Sequence, residues 1–303
     1  MAIGDVRAVT TGDCTDLSFV DTGMYDTTGY GSVYLLDAER PAVVESGLGT
    51  EHDRVLDALD VVGIDRRAVE VIAVTHVHLD HAGGVGFLAE ACPNAEVVVH
   101  ERGAPHLADP ERLVRGTEAA VGDLWPFYTS PEPVPEERLR PVADGERVDL
   151  GDHELRVAHA PGHAPHQVVY HDPANDATFT GDAAGVWLPE RGAVRATTPP
   201  WSFDLEQCLA DLHTIGDVDP TTLLYSHFGP HPDPGTALDA ARTALVEWVE
   251  AVRARRADAE DDEAVVDHFV GTTPCVDAWG EAMARPVAAV DVRGVLDYLD
   301  ERP

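Results

Sequence analysis

Between Val71 and Gly84 the chain reads Val71-Ile72-Ala73-Val74-Thr75-His76-Val77-His78-Leu79-Asp80-His81-Ala82-Gly83-Gly84, which crowds four metal-competent side chains into six residues. Imidazole and carboxylate are ligands for zinc, iron and related divalent ions. Alternate positions on an extended segment point the same way, so His76 and His78 can grip one ion, and the next turn brings Asp80 and His81 round for a second. Three further segments put a metal-competent residue into a glycine-containing turn: Ala160-Pro161-Gly162-His163, Phe179-Thr180-Gly181-Asp182 and Tyr225-Ser226-His227-Phe228-Gly229. A lone histidine after a strand is usually a packed or surface residue. The recurrence of such turns along one chain makes a shared centre the stronger expectation.

The elements that must position these residues follow from hydrophobic period and turn chemistry. Residues 71–74 form an apolar run that predicts a buried strand, ended by the Gly83-Gly84 pair. Before it, residues 17–21, 30–36 and 42–44 predict antiparallel strands, and Val55, Leu56, Leu59 and Val62 fall at helical spacing ahead of a Gly63 stop. After it come a helix over 85–92, a strand over 96–100, and a stretch over 101–135 that is helical and then a proline-rich loop from Pro126 to Pro135. Strands over 147–150, 153–159, 167–171 and 178–180, within a β-patterned stretch starting at Leu139, predict a second sheet. Residues 186–203 read as a loop, 204–215 as a helix and 222–225 as a strand. From Thr236 the pattern is helical, with Leu238, Ala241, Leu245, Trp248, Val249 and Val252 in one stripe and further helices over 263–270 and 287–299. A mixed strand-and-helix part over 1–232 and a helical extension over 233–303 are therefore expected.

Composition limits the partners. The 303 residues carry 55 acidic against 21 basic side chains, a formal charge of −34, and 44% are hydrophobic, which is ample for a core. The charge would repel nucleic-acid phosphates and anionic membrane surfaces, so neither is an expected partner. Every basic residue is arginine, and the acidic ones spread along the whole chain. Such a surface suits solvation in concentrated salt, so a halophile's cytoplasm is the expected setting. Cys14, Cys92, Cys208 and Cys275 show neither a disulfide framework nor a cysteine metal site. No stretch approaches the roughly twenty apolar residues of a membrane span, and the amino terminus lacks a long apolar segment.

In their order, the His76-x-His78-x-Asp80-His81 cluster, His163, Asp182 and His227 resemble the metallo-β-lactamase superfamily, from the first strands to about Pro232. The resemblance implies an α/β (α+β) fold, the αβ/βα four-layer sandwich of two mixed sheets packed face to face with helices outside, here with a C-terminal helical extension. It implies that His76, His78 and His163 bind one divalent ion, that Asp80, His81 and His227 bind a second, and that Asp182 bridges them. Zinc is the expected metal, and iron and manganese suit the same donors. Two such ions would lower the pKa of a bridging water from about 15.7 towards 7, giving a hydroxide that attacks a thioester or ester carbonyl.

The resemblance also narrows the subgroup. Flavodiiron proteins carry an acid where this chain has His78, and true β-lactamases generally lack the acid at Asp182. Glyoxalase II, acyl-homoserine lactonases and persulfide dioxygenases keep it. The stretch Val99-His100-Glu101-Arg102-Gly103-Ala104-Pro105-His106-Leu107, with Ser226-His227-Phe228-Gly229-Pro230, is similar to a glyoxalase-like hydrolase subgroup. A glyoxalase II-like hydrolase of a small molecule is therefore expected. The alternatives are a mononuclear iron persulfide dioxygenase using His76, His163 and Asp182, and a lactonase. Gly185 stands where the lactonases place a tyrosine, and Arg253, Arg255 and Arg256 are the only run comparable to the basic residues with which glyoxalase II holds glutathione.

Asp80 is the first choice for handling a proton, and His166, three residues after His163, is a candidate to orient a ligand or shuttle a proton to the leaving group. His100 and His106 are read as structural or supporting. Trp187, Leu188, Trp201 and Phe203 are candidates for an apolar lining over the metals. The stripe in the tail would serve either to cover the site or to build a homodimer.

Overall fold

The computed structural model describes residues 2–301, and among these two large sheets pack face to face between layers of helix. The first sheet runs in chain order through β1 (Val6–Ala8), β2 (Leu17–Asp21), β3 (Ser32–Leu36), β4 (Ala42–Val44), β5 (Val71–Ala73), β6 (Glu96–His100) and β7 (Leu139–Val142). It is antiparallel as far as β4 and parallel from there on. In the second sheet β8 (Arg147–Asp149), β9 (Glu154–His159), β10 (Val168–Asp172) and β11 (Ala177–Gly181) form an antiparallel meander. A hairpin of β12 (Val186–Leu188) and β13 (Ala193–Arg195) follows, and then β14 (Thr222–Tyr225) joins β11 in parallel, with β15 (Gly229–His231) antiparallel at the edge.

The first half also carries helices α1 (His52–Val62), α2 (Leu79–Ala82), α3 (Val85–Ala91), α4 (Ala104–Ala108) and α5 (Glu111–Val121). The second half carries α6 (Leu205–Asp217), α7 (Pro234–Asp258), α8 (Asp262–Thr272), α9 (Val276–Trp279) and α10 (Glu281–Glu301). The layering follows from the two-residue period of a strand. Val20, Val33, Leu35, Val43, Ile72 and Val97 pack with Val55, Leu59, Val85 and Leu88 of α1 and α3. Their chain neighbours Phe19, Tyr34, Leu36, Val44, Ala73 and Val98 turn the other way and meet Val168, Tyr170, Phe179 and Leu224 of the second sheet. Val169, Leu223 and Tyr225 then face Leu212, Leu245, Val249, Val265 and Val295 of α6, α7, α8 and α10. Each fully buried side chain of this size contributes about 1.5–3 kcal/mol. This is the four-layer αβ/βα sandwich the resemblance implied.

Because β5 lies between two parallel neighbours and is covered on both faces, its sequence is apolar throughout rather than alternating. Helix α1 stops at Gly63, whose φ of +84° lets its N–H reach the Leu59 carbonyl. In α7 the stripe Ala241, Leu245, Val249 and Val252 is buried against the second sheet's layer, with Leu238 and Trp248 partly buried beside it, so this stripe is used within the chain.

Several local expectations change. Leu139–Val142 belongs to the first sheet, so the second begins at Arg147. β1 and β15 are strands that the pattern did not reveal, residues 186–203 contain the β12–β13 hairpin, and Pro126 lies in a 3₁₀ turn, Gly122–Phe127. β7 and β15 are edge strands carrying Pro141 and Pro230, which an edge tolerates because one side of its ladder is unpaired. Three- and four-residue strands also show too few alternations to declare a period. No helix among the described residues is long and apolar enough to cross a membrane.

Candidate metal centre

The strand ends of both sheets converge on one point. β5 delivers Thr75 to His78, after which α2 turns the chain so that Asp80 and His81 face back. His163 stands in the turn after β9, Asp182 directly after β11 and His227 directly after β14. The structure brings all seven together. Among the described residues, His76, His78 and His163 form one donor group, His76, His81 and Asp182 a second, and Asp80, His81 and His227 a third, each with its ligand atoms within 4.8 Å of one another.

The atoms that meet are the ones a cation would need. His76 Nε2 and His163 Nε2 lie 3.0 and 3.1 Å from His78 Nδ1. Asp182 turns Oδ2 to His163 Nε2 at 3.5 Å and Oδ1 to His81 Nε2 and His227 Nε2, both at 3.3 Å. Asp80 Oδ2 is 3.8 Å from His81 Nε2. His81 Nε2 and Asp182 Oδ1 are fully buried and face each other as an ion pair at 3.3 Å without a well-formed hydrogen bond, so a cation between them would find both atoms available. Imidazoles with carboxylates to offset charge fit divalent ions, so these side chains are positioned to bind metal.

Electrostatics separates the two sides of Asp182. Burial keeps His76, His78 and His163 neutral, pushing His78 down to about 3. For His81 burial acts in the same direction, but the carboxylates of Asp182, Asp80 and Glu45 overcome it and hold its pKa well above the ordinary value. Burial opposes the charge on Asp182, and His81, His227 and His163 together keep its carboxyl well below the usual range. His76, His78 and His163 are thus ready neutral donors, whereas His81 would have to give up a proton to ligate a cation.

The outer ring nitrogens are held by the protein. Thr75 Oγ1 donates to Glu45 Oε1 and stands 3.1 Å from His76 Nδ1, where it accepts, which leaves the Nε2 lone pair facing the centre. Thr197 Oγ1 donates to the Asp182 carbonyl and likewise accepts from His163 Nδ1 at 3.2 Å. His227 Nδ1 donates to the Tyr30 carbonyl at 2.8 Å. Glu45 Oε1 also takes a hydrogen bond from Ser226 Oγ at 3.0 Å and lies 3.5 Å from His81 Nδ1. None of these supporting residues emerges from the sequence reading. Glu45 had a signal, an acid at the end of β4 next to Ser46 and Gly47, in the same strand-end setting as the ligands. Thr197 and Tyr30 had none.

Over the centre opens a cavity of about 350 Å³ with His78, Asp80, His163, Asp182 and His227 in its floor. Arg112, Leu113, Gly116, Thr117, Ala120 and Val121 form the face of α5 that lines it, and Val287 and Val290 of α10 stand opposite. Thus α10, not the α7 stripe, contributes to the cavity. Asp80 and His166 line it too. The Val77 N–H points to His166 Nδ1 at 3.4 Å, and burial pushes this imidazole down to about 2, so its own N–H is on Nε2. His106 reaches the cavity, whereas His100 stacks on His159 outside it at 4.2 Å. Of the four residues expected as apolar lining, only Trp201 lines this cavity. Trp187 packs on His231, Phe203 on Tyr298, and Leu188 faces a different cavity. Tyr25, Tyr30 and Tyr128, which sequence reasoning missed, take the aromatic role, with the Tyr25 and Tyr128 hydroxyls hydrogen-bonded to each other. Gly185 has φ +75°, and a Cβ there would lie 2.4 Å from the Arg195 carbonyl oxygen, so the backbone leaves no room for a tyrosine. The arginine run lies away from the cavity: Arg256 pairs with Asp262 and Asp300, tying α7 to α8 and α10.

Residues 26–227 match the family model described as the metallo-beta-lactamase superfamily. The chain is 27% identical over 221 residues to a metallo-beta-lactamase fold-containing protein of Sulfurisphaera tokodaii, covering 71% of this chain and 79% of that one. The crystal structure of this archaeal protein, from Sulfolobus tokodaii, superposes with a TM-score of 0.70 at 23% identity over 94% of this chain and 99% of the other, a likeness of fold. An acyl-coenzyme A thioesterase of Homo sapiens is 28% identical over 198 residues, 56% of this chain and 66% of the relative. Glyoxylase B2 of Dictyostelium discoideum is 32% identical over 136 residues, 45% and 41% of the two chains.

Proposed function

Because the chain belongs to the metallo-beta-lactamase superfamily, as a metallo-hydrolase, we propose that it cleaves thioesters of small molecules with two divalent ions, zinc first among them. His76, His78 and His163 would hold one ion, and Asp80, His81 and His227 the other. The observation that carries the proposal is the placement of Asp182, whose two oxygens face the two sides separately. The thioester is favoured over other acyl compounds by the relative named as an acyl-coenzyme A thioesterase, and the largely apolar walls of the cavity suit an acyl chain.

Bound there, the ions would supply an acidified water and a Lewis acid for the carbonyl oxygen. The chain's own groups do the rest. Asp80, with 24% of its side chain exposed to the cavity, takes a proton from the attacking water. As the new C–O bond forms and the C–S bond breaks, that proton passes to the departing sulfur, giving a carboxylic acid and a thiol. The His166 Nε2–H is a donor at the cavity wall that steadies the departing sulfur while it takes up that proton. The apolar faces of α5 and α10 hold the acyl part and exclude water.

The test combines elemental analysis of native protein with thiol release from acyl-coenzyme A and acyl-glutathione. Two zinc ions per chain with thiol release is the expected result. A fully metallated protein that releases no thiol from any of these overturns the proposal, and native iron with oxygen uptake on persulfides replaces it with the dioxygenase reading.

A further inference from the structure

Beside the metal-centre cavity lies a second, of about 410 Å³, bounded by the β12–β13 hairpin and by α7, α8 and α10. Leu188, Val194, Ala244, Trp248 and Phe269 make its lining largely apolar. Arg195 and Asp291 line both cavities, and they form an ion pair with each other. We infer that this pair is a partition that ends the acyl pocket, so that the enzyme selects thioesters of short acyl groups and the second cavity lies beyond the end of the pocket. The inference rests on the thioester reading above.

The partition is anchored from several sides. Arg195 reaches from β13 to Asp291 on α10, with its guanidinium 5.4 Å from the centre of the Trp279 ring. Asp291 Oδ1 accepts from the Thr198 N–H at 2.9 Å, and its carbonyl accepts from Thr198 Oγ1 at 2.8 Å. Trp248 Nε1 in turn donates to Thr198 Oγ1 at 3.1 Å, which links the partition to the wall of the second cavity. Only 16% of the Arg195 side chain and 7% of the Asp291 side chain are exposed. An alkyl tail could cross only by parting two largely desolvated charges, which leaves each without its partner. With the charges gone, the same tail would enter apolar surface that favours it.

The test measures kcat/KM for coenzyme A thioesters from acetyl through butanoyl and decanoyl to hexadecanoyl. Native protein is compared with an Arg195→Met/Asp291→Leu variant, which removes both charges together and leaves neither unpaired. Native protein should favour butanoyl over decanoyl, and the variant should raise the decanoyl-to-butanoyl ratio about tenfold or more. Adding Ala244→Phe, which fills the second cavity from α7, should return the ratio to the native value. A native protein that hydrolyses hexadecanoyl as well as butanoyl overturns the inference whether or not the variant folds. So does a folded, fully metallated variant with the native ratio. Failure to cleave a thioester of any length instead overturns the reading beneath it.

Discussion

At the floor of the cavity the metal-competent residues stand in the turns that follow β5, β9, β11 and β14 or on the short helix α2, and the outer nitrogens of His76, His163 and His227 meet oxygens of Thr75, Thr197 and Tyr30. At the roof, α5 has no buried residue at all, and its apolar face is turned to the open cavity. The floor holds atoms, since metal chemistry depends on donors placed within tenths of an ångström, and strand ends braced by a second row of hydrogen bonds supply that precision. The roof supplies area, which recognition of an apolar group needs, and area tolerates substitution. A change at the floor should therefore be felt in metal content and turnover, and one at the roof in substrate preference.

The largest effect is expected at Asp182. Asp182→Asn removes the charge facing both donor groups, and kcat/KM should fall about a thousandfold or more, with metal per chain falling by elemental analysis. A variant that keeps both would remove the basis for separating floor from roof. Thr75→Val tests the row behind the ligands, taking away the hydroxyl between Glu45 and His76. Metal affinity, measured by competition with a chelating dye, should drop about ten- to a hundredfold while the fold persists.

At the roof, a Cβ added at Gly116 meets nothing within 4 Å, so Gly116→Leu extends into open space on the cavity face of α5. KM should rise about tenfold with kcat and metal content nearly unchanged, the signature of lost uniform binding. A fall in metal content would show that the roof also organises the floor.

The smallest effect concerns the turn before His163. Asp211 on α6 accepts from the Gly162 N–H at 2.6 Å and from Gln207 Nε2 at 2.9 Å, and burial raises its pKa above the ordinary 3.8. A carboxyl that binds its proton more tightly when folded favours the folded state most at acid pH. Its contribution declines as pH rises from 3.8 through the raised folded value. Asp211→Asn lacks that decline, so the difference in urea midpoint, native minus variant, should fall with rising pH across this window and level off above it. A difference that is constant with pH contradicts the assignment.

Legibility follows the same division between floor and roof. The His76 to His81 cluster could be read because one extended segment and one turn set the side-chain directions locally, and the apolar run of β5 announced its double burial. Glu45 and Ser226 are 181 residues apart, His227 and Tyr30 are 197 apart, and Arg195 and Asp291 are 96 apart. Contacts over such distances leave no period in the chain. The face of α5 has helical spacing, yet spacing alone cannot say whether an apolar stripe will be buried in a core or left lining a cavity.

By itself, then, the sequence determined the order of strands and helices and named the side chains able to meet at the strand ends, because period, turn chemistry and ligand type are properties of neighbouring residues; the four-layer class came with the family that the ordered motifs resemble. Tertiary structure alone decided that Asp182 divides its oxygens between two donor groups, that Glu45 braces them, that α5 and α10 line the cavity and that an ion pair separates it from a second one. Those are outcomes of packing, in which a residue's role is set by whatever distant part of the chain comes to lie against it.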